Sequence, residues 1–265
     1  MAKYERIANE LRAQINAGQP GPGERLSSET ELATRFDVSV PTMRQALGVL
    51  KAEGLIESRH GTGTFVRAAR QPVRRTPERY QWEKDRVRLT DAERAVTGAT
   101  EKDTGLEMSD LDFSAEYEPT TADDRLARVF GVAVGTSLLR RSYRTRSRSE
   151  SAPISLVTSY LLHDVAKQNP MLLDSANEPW PGGTQHQLWT VGIELDSIRD
   201  EIAARPARAD EAEALGIDTE GVAVFELTKT SVDTTGRVVE VSYVVLPGDR
   251  TVFDYTTQLR RWEES

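Results

Sequence analysis

The sequence contains no cysteine, which excludes disulfides, thiolate nucleophiles and sulfur-ligated metals. Histidine is almost as scarce. His60, His163 and His186 are the only three, far apart in the chain, and no pair has the spacing of metal ligands on a helix. Long hydrophobic runs are also missing, so no helix is expected to span a bilayer. The opening Met1–Arg6 lacks the apolar stretch of a secretory signal. These absences point to a cytoplasmic protein without membrane contact. There is no glycine loop followed by Lys-Ser/Thr to cradle a nucleotide phosphate, and no Gly-x-Ser-x-Gly nucleophile elbow. The acidic pairs Asp123-Asp124 and Asp210-Glu211 stand at predicted helix starts, where they complement the helix dipole, and read as caps. No cofactor and no metal is expected.

What is present is a soluble globular composition of 265 residues, 38% hydrophobic and 29% charged, enough for two ordinary domains. The net charge of −8 is unevenly spread. Residues 1–80 hold 13 Lys/Arg against 9 Asp/Glu, a net of +4; the other 185 hold 21 against 33, a net of −12. A basic head on an acidic body suits a chain that sets only its head against phosphates.

The head has a recurring plan. Ile7, Leu11 and Ile15 form one apolar stripe, and Gly18 is a natural stop. Ser28-Glu29-Thr30-Glu31 reads as a capping box that opens a second helix burying Leu32, Ala33 and Phe36. Asp37-Val38-Ser39 turns the chain. Pro41 sits in the first turn of a third helix, whose buried stripe is Met43, Ala46, Leu47 and Leu50, and Gly54 ends it. Two short helices across a tight turn make a helix-turn-helix. The polar leading end of the third helix carries Thr42, Arg44 and Gln45; Arg pairs bidentately with guanine and Gln with adenine. A hairpin with a glycine-rich tip follows, from Leu55 to Val66, forming a wing. The candidate DNA contacts are Ser28, Arg35, Ser39, Pro41, Thr42, Arg44 and Gln45, with Arg59, His60, Gly61, Thr62, Gly63 and Thr64 on the wing.

Residues 69–90 carry Pro72, Pro77 and several arginines, with no apolar stripe. The expectation there is an inter-domain linker able to add phosphate contacts. Beyond it lies an internal repeat. Phe130-Gly131-Val132, Leu138-Leu139, Ala152-Pro153 and Ser159-Tyr160 recur as Leu215-Gly216-Ile217, Val224-Phe225, Gly236-Arg237 and Ser242-Tyr243. Each unit reads as a short helix and a β-hairpin, and Val191–Leu195 as a strand between them. The whole is an α+β fold with antiparallel strands, divided into a head (1–68), a linker (69–90) and a second domain (91–260). A pocket is expected between the two copies.

Leu26–Ala33, Val38–Leu47, Glu53-Gly54-Leu55-Ile56 and His60–Val66 resemble the GntR family of bacterial regulators. One departure is Val40, where the family usually has arginine. Leu138–Arg141, Pro153–Tyr160, Glu201–Arg205 and Gly236–Ser242 resemble the UTRA ligand-sensing domain of its HutC-type branch. The resemblance implies a chorismate-lyase-like domain used for binding, dimerisation through it, and a small-molecule effector held by Arg140, Arg144, Ser159, Tyr160, Thr184, His186, Glu240 and Ser242. Arg140 and Arg144 share a strand face, which suits an anionic effector. The family usually has glutamate where Val157 stands, which argues against a sugar phosphate. The implied function is a homodimeric transcriptional regulator on double-stranded operator DNA, a repressor released by its effector. The competing classes are an enzyme of chorismate-lyase-like fold with a DNA-binding head, marked by ligand turnover, and a ligand-independent DNA binder.

Overall fold

The computed structural model describes residues 2–59, 61–68, 70–217 and 222–259. Its first part follows the apolar periodicity. Helix α1 (Lys3–Asn16) buries Ile7, Ala8, Leu11 and Ile15; α2 (Glu29–Arg35) buries Leu32 and Ala33; α3 (Val40–Ala52) buries Met43, Ala46, Leu47 and Leu50. These side chains form one core with Ile56 of β1 (Ile56–Arg59) and Val66 of β2 (Gly63–Val66), an antiparallel hairpin. Burying each large member contributes about 1.5–3 kcal/mol. The capping box forms in both directions. The Ser28 amide donates to the Glu31 carboxylate at 2.8 Å, and the Glu31 amide donates to Ser28 Oγ at 3.2 Å. Asp37 adopts a left-handed backbone (φ 51°) between α2 and α3, a conformation Asp tolerates better than most residues.

The segment expected to be a linker is structured. It holds β3 (Val73–Arg75) and α4 (Glu78–Arg86). Strand β3 pairs in parallel with a strand from the far end of the chain, residues Thr251–Phe253. The signal was too short to see: a three-residue strand has no periodicity, and α4 is almost wholly polar. Arginines in and just before this stretch are engaged by the protein itself, Arg75 least of them. Arg67 reaches Asp249 at 3.1 Å, the Leu215 carbonyl accepts from Arg70 at 2.9 Å, Arg74 pairs with Asp254 at 2.8 Å and Arg79 with Asp103 at 2.9 Å.

After the short helices α5 (Asp91–Ala95) and α6 (Ala99–Thr104) come β4 (Leu111–Thr121), α7 (Asp124–Phe130), β5 (Ser137–Ser147) and β6 (Ser155–Leu162). Helices α8 (His163–Ala166) and α9 (Gly183–Trp189) intervene. The second series is β7 (Leu195–Pro206), α10 (Ala209–Leu215), β8 (Ala223–Asp233) and β9 (Val238–Pro247), and β10 is Thr251–Phe253. The repeat is therefore a strand, a helix and a hairpin, one strand longer than the sequence pattern disclosed, and Val191–Glu194 is turn rather than strand. Six strands form one sheet in the order β4-β5-β6-β9-β8-β7. The order reads the same from both edges. At its centre Ser159 of β6 pairs with Ser242 of β9, the very residues that correspond in the repeat, so a pseudo-twofold axis passes between them.

By proximity the chain forms two compact units. One holds residues 1–71 with 205–224 and 247–250; the other holds 72–204, 225–246 and the chain from 251. No helix among the described residues is long and apolar enough to cross a membrane.

Candidate functional site

On the head, α3 presents Arg44 and Gln45 outward, and Pro41 is exposed beside them. Ser39 caps the helix, its Oγ 2.9 Å from Thr42 Oγ1. Arg44 Nε donates to Glu29 Oε2 at 2.6 Å, with 65% of the arginine side chain open to solvent. Ser28 is occupied as a cap, and Arg35 donates to Gln14 at 2.9 Å. On the wing, the Arg59 guanidinium lies 4.4 Å over the Phe65 ring and pairs with Glu57. Gly61 and Thr62 are exposed at the tip, and Gly63 and Thr64 open β2; His60 lies outside the described residues. Gly63 has φ 124°, and a Cβ there would lie 2.8 Å from Arg25 Nε. Glycine is thus required twice over, by backbone and by close approach. Arg25, exposed and bridged to β2 through Phe65, belongs with this surface. It sits in a loop, where no periodicity marked it.

The second site is a cavity of about 230 Å³ over one face of the sheet, lined by residues of β3, α4, α6, β4, β5, β6, β8 and β9 and by Gly183 and Thr184 of α9. Beside it lies a buried network. Arg141 is fully buried, and its Nη2 donates to Ser159 Oγ at 2.7 Å and to Glu240 Oε1 at 3.1 Å, while its Nη1 donates to Gln187 Oε1 at 2.6 Å. Thr184 Oγ1 accepts from the same guanidinium at 3.4 Å. Glu240 also accepts from Ser159, Ser231 and Ser242 at 2.8, 3.0 and 3.1 Å and pairs with Lys229 at 2.9 Å. Burial opposes its charge, but Lys229 and Arg141 hold its pKa down to about 2. Burial raises Tyr143 well above the usual phenol range. The Tyr143 ring, like that of Tyr117, packs under the Arg141 guanidinium.

Of the residues expected to hold an effector, Ser159, Thr184, Glu240 and Ser242 converge here. Arg140, Arg144 and Tyr160 do not. They lie on the opposite face, where Arg140 pairs with Glu118. The buried arginine is its neighbour Arg141. Side chains alternate with period two, and a one-residue shift in register exchanges the faces. Adjacent arginines gave no apolar cue to choose between them. His186 is also elsewhere. It accepts from Trp180 Nε1 through Nδ1 at 2.8 Å, and its pKa is lowered by burial and then by Arg94. Gly182 (φ 92°) lets this turn close: a Cβ there would come within 2.7 Å of Arg94 and 2.8 Å of His186. The loop of residues 177–182 is tied down by Glu178, whose carboxylate accepts from Tyr117, from Tyr143 at 3.2 Å and from Gln187 at 2.9 Å. Lys229, Gln187 and Glu178 were not foreseen. Each is a lone polar residue in a strand, helix or loop.

A winged helix-turn-helix joined to a duplicated α+β sheet domain with a polar-walled cavity defines a class: regulators with a DNA-reading head and a sensing body. The comparisons agree. The model of the bacterial regulatory proteins of the gntR family matches residues 3–66, and that of the UTRA domain matches residues 114–251. The chain belongs to the GntR family of bacterial regulators, in its UTRA-bearing HutC-type branch. It is 26% identical over 253 residues to the HTH-type transcriptional regulator SCO4628 of Streptomyces coelicolor, covering 96% of this chain and 91% of that one. It is 26% identical over 251 residues to the HTH-type transcriptional repressor NagR of Bacillus subtilis, covering 94% and 92%. The crystal structure of PhnF from Mycobacterium smegmatis superposes with a TM-score of 0.50 at 25% identity, over 96% of this chain and all of that one. The chain is a DNA-binding transcriptional regulator, and not an enzyme.

Proposed function

We propose that the protein is a homodimeric repressor that leaves its operator when a small molecule fills the sheet cavity. In this reading α3 enters the major groove with Arg44 and Gln45 at base edges, and the wing tip with Arg59 and Thr62 contacts the flanking backbone. Two heads bind two half-sites of a pseudo-palindrome. The head comprises residues 1–68, and the sensing domain starts at β3 rather than after residue 90. The effector contacts Thr184 and Lys229 and rests against the Arg141–Glu240 network. Ligand binding favours a dimer state whose heads no longer match the half-site spacing.

The observation that carries this is the pairing of an exposed arginine on α3 with a separate cavity walled by buried charges, a seat and a reader in one chain. Arg44→Ala tests the reader. It is expected to cost about 1–3 kcal/mol of operator binding and to relax preference at one base position. Unchanged affinity and preference in gel shifts would refute the assignment. For the seat, Lys229→Met is expected to keep operator affinity and lose the ligand response. A variant that responds normally would move the effector elsewhere.

A further inference from the structure

The cavity is built asymmetrically, and the asymmetry specifies what fits it. Its apolar lining is Val73, Phe113, Ile154, Val157, Val244 and Leu246. Its cations are Arg75, Arg79 and Lys229. Four cations share the carboxylates Glu240 and Asp103, and Asp200 adds counter-charge near Arg75 without an ion pair to it. Glu240 is shared by Lys229 at 2.9 Å and Arg141 at 3.1 Å; Asp103 is shared by Arg79 at 2.9 Å and Arg75 at 3.9 Å. Glu83, 3.9 Å from Arg79, adds to the share of Arg79 and not of Arg75.

Arg75 is therefore the cation left short. Its side chain is 12% exposed, and it makes no side-chain hydrogen bond to any other described residue. Burial, and then the charge of Arg79, lowers its pKa, while Tyr80, Asp103 and Asp200 oppose the shift. A buried cation normally has a hydrogen-bonded partner, because desolvating an unpaired charge is unfavourable. An anion seated in the cavity would give Arg75 that hydrogen-bonded partner. The same cavity that holds this cation also offers the apolar side chains of Phe113, Ile154, Val157 and Val244.

We infer that the effector is a small amphipathic carboxylate, its head on the Arg75 guanidinium and its aliphatic or aromatic body against Val157, Val244, Ile154 and Phe113. This rests on the cavity being the effector seat, and it makes Arg75, on the strand that opens the sensing domain, the charge contact. Hydroxyls resting on those four apolar side chains would be left without hydrogen bonds, whereas a hydrocarbon body would not.

The test is calorimetric titration of the full-length protein with phenylacetate and hexanoate, their neutral amides, and glucose 6-phosphate. At least one carboxylate should saturate below roughly 1 mM and bind about tenfold tighter than its amide. Arg75→Gln should erase that difference, whereas Arg74→Gln, on the exposed neighbour, should keep it. Should Arg75→Gln fail to fold, the acid–amide comparison in the wild type decides alone, with Val157→Glu expected to weaken carboxylate binding. The inference is overturned if neither acid binds, if amides match acids, if glucose 6-phosphate binds best, or if a folded Arg75→Gln keeps the preference. Gel shifts separate it from the functional reading. Carboxylates that bind without releasing DNA sink the repressor reading and leave the ligand class standing. Release by an uncharged ligand alone does the reverse.

Discussion

The head and the sensing body use arginine in opposite ways. On α3, Arg44 is 65% exposed and held by one carboxylate, Glu29, at the surface. On β5, Arg141 has no exposure, five possible donors and a set of partners from β6, β9 and α9. The first is an arginine that can change partner at small cost, because an exposed ion pair contributes only about 0–1 kcal/mol. The second is fixed, because removing it leaves Glu240 buried with one of its cations gone. The difference teaches that a guanidinium held loosely at the surface stays free to exchange its partner, while one held tightly in the interior fixes the packing around it.

The same substitution in both places sharpens that contrast. Arg141→Met should lower unfolding free energy by about 3–5 kcal/mol, as breakage of buried ion pairs does. Arg44→Met should move it by less than about 1 kcal/mol. Urea denaturation measures both, and equal losses would erase the distinction. Acid gives a second test. Glu240 is held at about 2 in the folded protein, against about 4.3 for a glutamate in an unfolded chain. The stability it contributes is present above the unfolded value and lost as pH falls toward 2. The gap in denaturation midpoint between the wild type and Glu240→Gln should narrow between roughly pH 5 and pH 3. A constant gap would mean that the carboxylate is not held down by Lys229 and Arg141.

The smallest effect concerns Gly48, exposed on α3 one turn beyond Arg44, where an added Cβ would meet nothing within 4 Å. Gly48→Ala should stabilise the head by roughly 0.5–1 kcal/mol, since glycine weakens a helix interior. If this variant is more stable and yet binds DNA more weakly, the glycine serves a close approach to the duplex. If both properties improve, α3 docks by another face.

The two regions also differed in how far they could be read from sequence. The head was legible because each boundary has a local chemical cause: the Ser28–Glu31 box, the Asp37 turn, Pro41, the glycine-tipped hairpin. The hairpins of the body were legible through their repetition. Strands β4 and β7 were not, because they are the edge strands of the sheet, and edge strands carry charges such as Glu116, Glu118, Arg199 and Glu201 that hide any alternation. The cavity and its network were half legible. Glu240, Ser159, Ser242 and Thr184 were singled out and lie together, but the choice between Arg140 and Arg141 depends on strand register, which is a property of pairing and not of composition. Arg75 fell in a stretch whose polarity suggested a tether.

The axis between Ser159 and Ser242 has a stoichiometric consequence. Duplicated units could offer two equivalent seats, yet the copies have diverged where it matters. The counterpart of Arg141 is Leu227 and the counterpart of Glu240 is Val157, and those two pack together in a small oily cluster with Val244 and Leu246. One half of the duplication kept its charges and the other turned to hydrocarbon. A ligand needing both kinds of wall finds them juxtaposed once, so a titration should end at one equivalent per polypeptide.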